Sequence, residues 1–329
     1  MRKKIALLHA SNTKNYGSLM MVTNLIYYIN LISKDKYDFY VDNEEFDGIE
    51  RIKKETTLNN VYRLSDIGIF LCPKFKKNNK IDKIYRYVLH SFGINKKYNI
   101  ANISTIIYLG GDDFSEDYSF KGLVLEFIKL FQLNRNNIKT ILIGQTIGPF
   151  FSWRRYLATY SFDKSIIYTR DNISYEYLKD KLLFDKRKLF TMKDLALLKL
   201  PLQNKDNKDK ILEKYHLVSN QYIVLVPSGI WKNYSNSLEL YLQEWKKIVL
   251  SISLLTNKKI VLLAHVSKDT EIIEAIDQLL NKKEKLKIKK ITDLLLPSQA
   301  RVIIGQANFI VTGRMHASIS AIQTTTPFI

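Results

Sequence analysis

The chain has 329 residues, of which 46% are hydrophobic and 25% are charged, and this composition excludes wholesale disorder. Its length favours two domains of ordinary size, and no apolar run reaches the roughly 18–20 residues that cross a bilayer. The apolar run Ile5–Leu8 is too short for a signal peptide and predicts a buried strand. The single cysteine, Cys72, excludes a disulfide framework and a Cys-based metal site. We therefore expect a soluble, cytoplasmic protein.

The net charge is +19, from 51 Lys and Arg against 32 Asp and Glu. Such a surplus favours anionic partners, namely nucleic acid, acidic lipid or phosphorylated substrates. However, arginine is scarce and the lysines are spread over several segments, which are 51–54, 74–80, 179–193 and 282–290. We therefore interpret most of the charge as solvated surface and expect no nucleic-acid partner. A peripheral contact with the anionic inner face of the membrane remains open.

Short apolar runs alternate along the chain with amphipathic stretches of helical period. The predicted strands are Lys4–Leu8, Thr105–Leu109, Thr140–Ile143, Ser165–Tyr168, Tyr222–Val226, Lys259–Leu263 and Phe309–Val311. The predicted helices cover 18–32, 120–133, 153–161, 172–180, 238–254, 269–281 and 293–304. This alternation predicts an α/β fold with parallel sheets covered by helices. Ligands of such sheets bind beyond the carboxyl ends of the strands, so the loops there should carry the chemistry.

A polar stretch, 200–210, separates the two groups of predicted strands and is typical of a linker or an exposed helix start. We place the domain boundary near 200–206, with an N-terminal Rossmann-like domain over 1–200 and a C-terminal one over 206–329. The Lys- and Asn-rich region 43–100 receives no assignment of elements.

Paired acids follow a diglycine in Gly110-Gly111-Asp112-Asp113, directly after a predicted strand. Glycine there allows a ligand to approach the backbone, and Asp112 is a candidate base or orienter of sugar hydroxyls. The alternative is a plain turn with an Asp helix cap. The loop 144–149 lacks the dinucleotide fingerprint, so we interpret it as a shaped loop in which Gln145 and Thr146 could donate hydrogen bonds.

Arginine occurs at two further strand ends, in Thr169-Arg170-Asp171 and in Gly313-Arg314-Met315-His316. Arginine binds carboxylate or phosphate through two hydrogen bonds, although an ion pair of Arg170 with a helix-capping Asp171 is equally consistent. The segment around Arg314 precedes a short apolar helix, 317–322, whose N-terminus favours anions. His316 adds a group that titrates near neutrality.

The remaining histidines have weaker patterns. His9 lies in a polar loop that could bind ligand atoms, whereas His265 with Asp269 is typical of a structural helix start. His90 and His216 fall in helical contexts and are not expected to be ligands. Trp231, after Pro227-Ser228-Gly229, could stack on a sugar or simply pack. The histidine spacing predicts no metal site.

Taken in order, these loops resemble the polysaccharide pyruvyl transferase family. The matching segments are Asn15-Tyr-Gly17, Leu109-Gly-Gly-Asp112, Gly144-Gln-Thr-Ile-Gly-Pro149, Thr169-Arg-Asp171 followed by Ser174 and Leu178, Asp194-Leu-Ala196, and Gly313-Arg-Met-His-Ala317 running on to Pro327. Relatives commonly have a third glycine in the region of Asp112 and Asp113. Relatives also continue beyond the point that corresponds to Ile329, so we expect this chain to lack their C-terminal tail.

The resemblance implies a GT-B-like fold with the active site in the cleft between two Rossmann-like domains. It also implies transfer of the enolpyruvyl group of phosphoenolpyruvate onto a sugar as a pyruvate ketal, with phosphoenolpyruvate as donor substrate and no cofactor or metal. Arg170, Arg314 and His316 then correspond to residues that bind the donor. The expected substrate-binding residues are Asn15, Gly17, Gly111, Gln145, Arg170, Ser228, Arg314 and Met315, and the expected catalytic residues are His316 and Asp112.

Two other functions are consistent with the sequence. A GT-B glycosyltransferase would use a nucleotide sugar, with the loop at Ser228 and Trp231 on the donor. A silent binding protein for anionic glycans or nucleic acid would depend on the +19 charge, but no nucleic-acid-binding motif is present. The acceptor of a pyruvyl transferase could be a sugar of a cell-surface polysaccharide or its lipid-linked precursor.

Overall fold

A computed structural model describes residues 2–67, 103–116, 120–151 and 153–329. Several features of the sequence lie outside these ranges, namely Cys72, His90, the lysines of 74–80 and much of the unassigned region 43–100.

By its internal contacts the chain divides into two compact units. The first unit is Met1–Asn12, Leu25–Lys53 and Leu58–Leu195, and the second is Thr13–Asn24, Lys54–Thr57 and Ala196–Ile329. The second unit thus begins its main segment at Ala196 and includes two short segments from the range 1–200.

In the described residues of the first unit, seven strands form one parallel sheet in the order β3-β2-β1-β4-β5-β6-β7. The strands are β1 Lys3–Leu8, β2 Tyr37–Val41, β3 Val61–Arg63, β4 Ile103–Leu109, β5 Lys139–Gln145, β6 Ile166–Thr169 and β7 Leu189–Thr191. The strand order reverses between β1 and β4, so the crevice at their carboxyl ends is the place where a doubly wound sheet binds its ligand.

Helices of the first unit connect these parallel strands. They are α1 Tyr16–Ser33, whose residues up to Asn24 group with the second unit, α2 Gly48–Thr56, α3 Phe120–Arg135, α4 Arg154–Phe162 and α5 Asn172–Glu176. The core contains an aromatic cluster of Phe114, Phe127, Phe150 and Phe162, whose neighbouring ring centroids lie 5.2–6.4 Å apart. This cluster fixes the chain just after the loop segment Gly110–Asp113, because Phe114 immediately follows Asp113.

The second unit contains a four-stranded parallel sheet in the order β10-β9-β8-β11. The strands are β8 Tyr222–Val226, β9 Lys259–Leu263, β10 Ile288–Ile291 and β11 Ile310–Thr312. The helices are α6 Lys205–Lys214, α7 Leu238–Leu255, α8 Asp269–Gln278, α9 Lys282–Lys285, α10 Pro297–Gly305 and α11 Met315–Thr324. Here the order reverses between β8 and β11, which brings the loops after these two strands to one point.

The predicted α/β class with parallel sheets is confirmed, and each predicted strand coincides with an observed one to within a few residues. The strands β2, β3, β7 and β10 were not predicted, because they are short or interrupted by charge, as in the Ile-Lys-Lys-Ile of β10. The helix predicted over 172–180 ends at Glu176 and continues as a π-helical turn, Tyr177–Lys181. The helix predicted over 293–304 begins only at Pro297, since proline favours the first helical turn.

None of the helices in the described residues combines the length and apolar character that crossing a membrane requires.

Candidate active site

In the second unit, the loops after three strands meet at the buried carboxylate of Asp269, the first residue of α8. Its Oδ1 accepts a hydrogen bond from the Gly229 N–H, at 2.7 Å, and pairs with the guanidinium of Arg314. Its Oδ2 accepts from the N–H groups of His265, at 3.1 Å, and Val266, at 2.9 Å. A buried charge needs this many partners, so the carboxylate fixes the loops after β8, β9 and β11 relative to one another.

Arg314 is held in place by Asp269 but retains free donor groups. Its side chain is 14% exposed, and its Nε is buried without a hydrogen-bond partner in the described part of the chain. The backbone on both sides is also fixed, since Arg314 N–H donates to Thr312 Oγ1 and the Tyr234 hydroxyl donates to the Gly313 carbonyl. An oriented guanidinium at the start of α11 can attract an anion, because the helix dipole adds positive potential there.

His316, in the first turn of α11, lies against the first turn of α1. A Cβ placed on Gly17 would lie 2.3 Å from Cγ of His316, so only glycine leaves room for this imidazole. Asn15 shapes the turn, because its side-chain oxygen accepts a hydrogen bond from the Gly17 N–H at 2.9 Å. The structure therefore brings Asn15 and Gly17 together with Arg314 and His316 within the second unit. Met315 is half-exposed beside them.

His265 belongs to this group as well, although its sequence pattern predicted a structural role. The residue is only 1% exposed, and its Nε2 has no hydrogen-bond partner among the described residues. Its ring packs against the ring of Tyr16 at a centroid distance of 5.0 Å. Burial lowers the pKa of His265 well below its usual value, and the positive charges of His316, Arg314 and Arg301 lower it further. The imidazole is therefore neutral at physiological pH, with one polar nitrogen left for a ligand or water.

Ser228 shapes the loop after β8. It is fully buried, its N–H donates to the Tyr241 hydroxyl at 2.9 Å, and its Oγ accepts from the Ile230 N–H at 3.3 Å. Trp231 packs against the apolar core of the second unit. These contacts show how both residues are held within the second unit, and the substrate-binding role expected for Ser228 stays a prediction.

In the first unit, Arg170 is surrounded by hydrogen-bond acceptors. Its guanidinium pairs with Asp112 and, at 3.4 Å, with Asp194, while its Nε donates to Thr146 Oγ1 at 2.8 Å. Asp171 instead caps α5, where its Oδ1 accepts from the Ser174 N–H at 2.7 Å. Thus the ion pair that the sequence left open is formed, but with Asp112 and Asp194 rather than with the adjacent Asp171.

Gln145 and the glycines near it connect the ends of β4 and β5. Gln145 is fully buried, and its amide donates to the Leu109 carbonyl at 2.6 Å, so the amide nitrogen is occupied within the protein. A Cβ on Gly110 would lie 2.3 Å from the Gly144 carbonyl oxygen, which makes glycine necessary for this approach. A Cβ on Gly111 would lie 2.9 Å from Asp113 Oδ2, so this glycine leaves room for the carboxylate.

His9 forms a second polar cluster at the carboxyl end of β1. Its Nδ1 lies 3.1 Å from Asp113 Oδ2, and its Nε2 lies 3.4 Å from Glu126 Oε2. Burial disfavours the charged imidazole, but the close carboxylates of Asp113 and Glu126 outweigh this effect and raise the pKa of His9 to about 10. His9 is therefore a fixed cation at neutral pH, unlike His265.

His216 lies just after α6 in a left-handed backbone conformation, with φ of 48°, rather than within a helix as its sequence context predicted. Within the described residues, no group of three or more His, Cys, Asp or Glu side chains is arranged to hold a metal ion.

Comparison with known proteins identifies a family to which this chain is similar and solved structures with a similar fold. The family model for polysaccharide pyruvyl transferase matches residues 15–329. No curated protein matches the chain.

Among solved structures, the UDP-GlcNAc 2-epimerase from Methanocaldococcus jannaschii is 14% identical to this chain, with a TM-score of 0.63. The match covers 100% of this chain and 83% of that one. The S. aureus MnaA structure with UDP is 12% identical, with a TM-score of 0.61, over 100% and 78%. A glycosyltransferase from Rickettsia africae is 13% identical, with a TM-score of 0.53, over 99% and 78%. These likenesses confirm the GT-B-like fold class.

The contact between Gly17 and His316 predicts that Gly17→Ala displaces the imidazole. A new methyl group at 2.3 Å from the ring should lower the free energy of unfolding of the second unit by about 1–3 kcal/mol. Urea unfolding of the single variants and the Gly17→Ala/His316→Ala double variant measures this effect. The loss should disappear in the double variant, where the ring is absent. An equal loss in both backgrounds would contradict the contact.

The charged state of His9 predicts a pH-dependent contribution to stability. Because its pKa is raised from 6.5 to about 10, the contribution is complete below pH 6.5 and is lost as the pH rises toward 10. The stability advantage of the native chain over His9→Gln should therefore fall by up to about 1.4 kcal/mol per pH unit across this window. Urea unfolding read by hydrogen exchange of peptides from β1 and β4 measures it. A pH-independent difference between the two proteins would refute the assignment.

Proposed function

Since the chain belongs to the polysaccharide pyruvyl transferase family, an enzyme family, we propose that it transfers the enolpyruvyl group of phosphoenolpyruvate onto a sugar. The acceptor would belong to a cell-surface polysaccharide or its lipid-linked precursor, and the product would be a pyruvate ketal. The observation that carries the proposal is Arg314, oriented by Asp269, beside His316 at the start of α11. We propose no cofactor or metal.

The second unit supports binding of the donor through its positive groups. Phosphoenolpyruvate carries a phosphate and a carboxylate, and both are recognised by guanidinium and by helix N-termini. Arg314 provides the guanidinium, with Asp269 occupying one of its nitrogens and leaving Nε available. The neutral His265 can donate or accept one hydrogen bond through Nε2. This arrangement suits an anion that is small enough to contact Arg314 and His316 together.

The chemistry requires one proton to be added to carbon. A proton delivered to the methylene carbon of phosphoenolpyruvate converts it to a methyl group and makes the neighbouring carbon electrophilic. A sugar hydroxyl then forms a bond to that carbon, phosphate leaves with its oxygen, and a second hydroxyl forms the other ketal bond. Of the two protons from the hydroxyls, one balances the methyl group and one leaves with phosphate. We assign His316 as the general acid or as the partner of the phosphate.

The pairing of Arg170 with Asp112 and Asp194 bears on the roles that the resemblance implies for Arg170 and Asp112. A carboxylate that already accepts from a guanidinium has fewer free acceptor positions for sugar hydroxyls, and Arg170 has fewer free donors for the phosphoenolpyruvate anion. We therefore propose that Arg170 orients Asp112 and the loop after β4 that carries it. A peripheral contact with the inner membrane face would give the enzyme access to a lipid-linked acceptor.

Acceptor-dependent phosphate release from phosphoenolpyruvate tests this function. With a panel of lipid-linked and nucleotide-linked sugars, one acceptor class should trigger release. Arg314→Ala and His316→Ala should each reduce turnover at least about 100-fold, as expected for groups that bind or protonate the reacting atoms. Arg187→Ala is the matched control, because Arg187 is 89% exposed and pairs with Asp185.

Full turnover in Arg314→Ala or in a correctly folded His316→Ala would contradict the residue assignment. If the chain binds nucleotide sugars and does not bind phosphoenolpyruvate, the pyruvyl transfer itself would be wrong and glycosyl transfer would replace it.

A further inference from the structure

We propose that Asp113, positioned by His9, binds the pair of hydroxyls on the sugar acceptor, at the carboxyl ends of β1 and β4 in the first unit. This inference rests on the proposed function and identifies which carboxylate receives the acceptor. It differs from the expectation from sequence, which assigned the hydroxyls to Asp112.

The location follows from the sheet topology. In the order β3-β2-β1-β4-β5-β6-β7, the chain reverses direction of winding between β1 and β4. The loops after these two strands therefore diverge and leave an open crevice, which is where doubly wound sheets bind ligands. His9 is the first residue after β1, and Asp113 lies four residues after the end of β4. The two residues thus come from the two loops that form this crevice.

Asp113 has the exposure and the free acceptor that a ligand requires. Its side chain is 55% exposed, and its Oδ2 lies 3.1 Å from Nδ1 of His9. Its Oδ1 has no hydrogen-bond partner among the described residues. The adjacent His9 imidazole lowers the pKa of Asp113 despite its partial burial, so the carboxylate stays ionised. Asp112, in contrast, is paired with Arg170.

His9 is fixed on every side, which makes it a positioning residue for Asp113. Its peptide N–H and that of Ala10 donate to the two carboxylate oxygens of Asp42, both at 2.9 Å. Its Nε2 faces Glu126, which is 16% exposed and in turn pairs with Lys129 at 2.5 Å. The backbone of His9 adopts a left-handed conformation with φ of 61°, which is costly for a residue with a side chain.

A strained residue in a buried charge network costs folding free energy, and such features concentrate at functional sites. In this network the charged imidazole of His9 lies next to the half-exposed carboxylate of Asp113. An ionised carboxylate accepts hydrogen bonds from two neighbouring hydroxyls at once, and a ketal forms across two such hydroxyls. The geometry therefore matches recognition of a sugar diol better than recognition of an anion, which the carboxylate would repel.

Binding of methyl hexopyranosides, measured by saturation-transfer NMR without any donor, tests the inference directly. The probes are the methyl glycosides of glucose, galactose, mannose and their 2-acetamido forms. At least one should bind the native chain, and Asp113→Asn should weaken it at least tenfold, because the amide presents one acceptor oxygen and no charge. His9→Gln should also weaken it, while the affinity for phosphoenolpyruvate stays unchanged in both variants.

Asp185→Asn serves as the matched control, since Asp185 belongs to the same unit and contacts the exposed Arg187. Equal hexoside binding by Asp113→Asn and the native chain would overturn the inference, and so would the absence of binding by every hexoside. If Asp113→Asn loses hexoside binding but the native chain never releases phosphate from phosphoenolpyruvate, the sugar site stands and the pyruvyl transfer fails.

Discussion

The second unit depends on one buried carboxylate. Asp269 is fully buried, and it accepts hydrogen bonds from three backbone N–H groups and the guanidinium of Arg314. An uncompensated charge at this position would be strongly destabilising. The loops that supply these donors are therefore held in one conformation. The same interaction gives Arg314 its orientation, and it places a free Nε next to the start of α11. The arrangement of the loops and the orientation of Arg314 thus have one physical cause.

The first unit applies a similar arrangement to a different ligand chemistry. There the carboxylate is the partly buried Asp42, which accepts the N–H groups that follow β1 and fixes His9 in its left-handed conformation. Burial raises the pKa of Asp42 to about 6, although His9 and these two N–H groups oppose the rise. In the second unit the fixed loop presents a cation, Arg314, whereas in the first it presents a carboxylate, Asp113. This difference matches the anionic donor and the neutral sugar acceptor that we propose.

The sequence predicted the parts of the fold that are encoded locally. Tyr222–Val226 and Lys259–Leu263 are mainly apolar runs, and both strands have the predicted bounds.

Side-chain contacts between residues that lie far apart in the sequence were not predictable. Nothing near Gly17 indicates that it contacts the His316 ring, and nothing near Arg170 indicates Asp112 or Asp194 as partners instead of the adjacent Asp171. Arg314 and His316 were singled out because both follow a strand and begin a helix, and their roles stay predictions. The unpartnered Nε2 of His265 could not be predicted, because a lone histidine looks the same in sequence whether or not this nitrogen has a partner.

The most direct test is the calorimetric affinity of phosphoenolpyruvate for the native chain and for Asp269→Asn. Asparagine has nearly the same volume as aspartate but lacks the charge that orients Arg314 and one of the two acceptor oxygens. We expect measurable binding by the native chain and at least tenfold weaker binding by the variant. Asp277→Asn, on the same helix, should bind normally. Equal affinities for a folded Asp269→Asn, or no binding by the native chain, would contradict the central claim that this carboxylate builds the donor site.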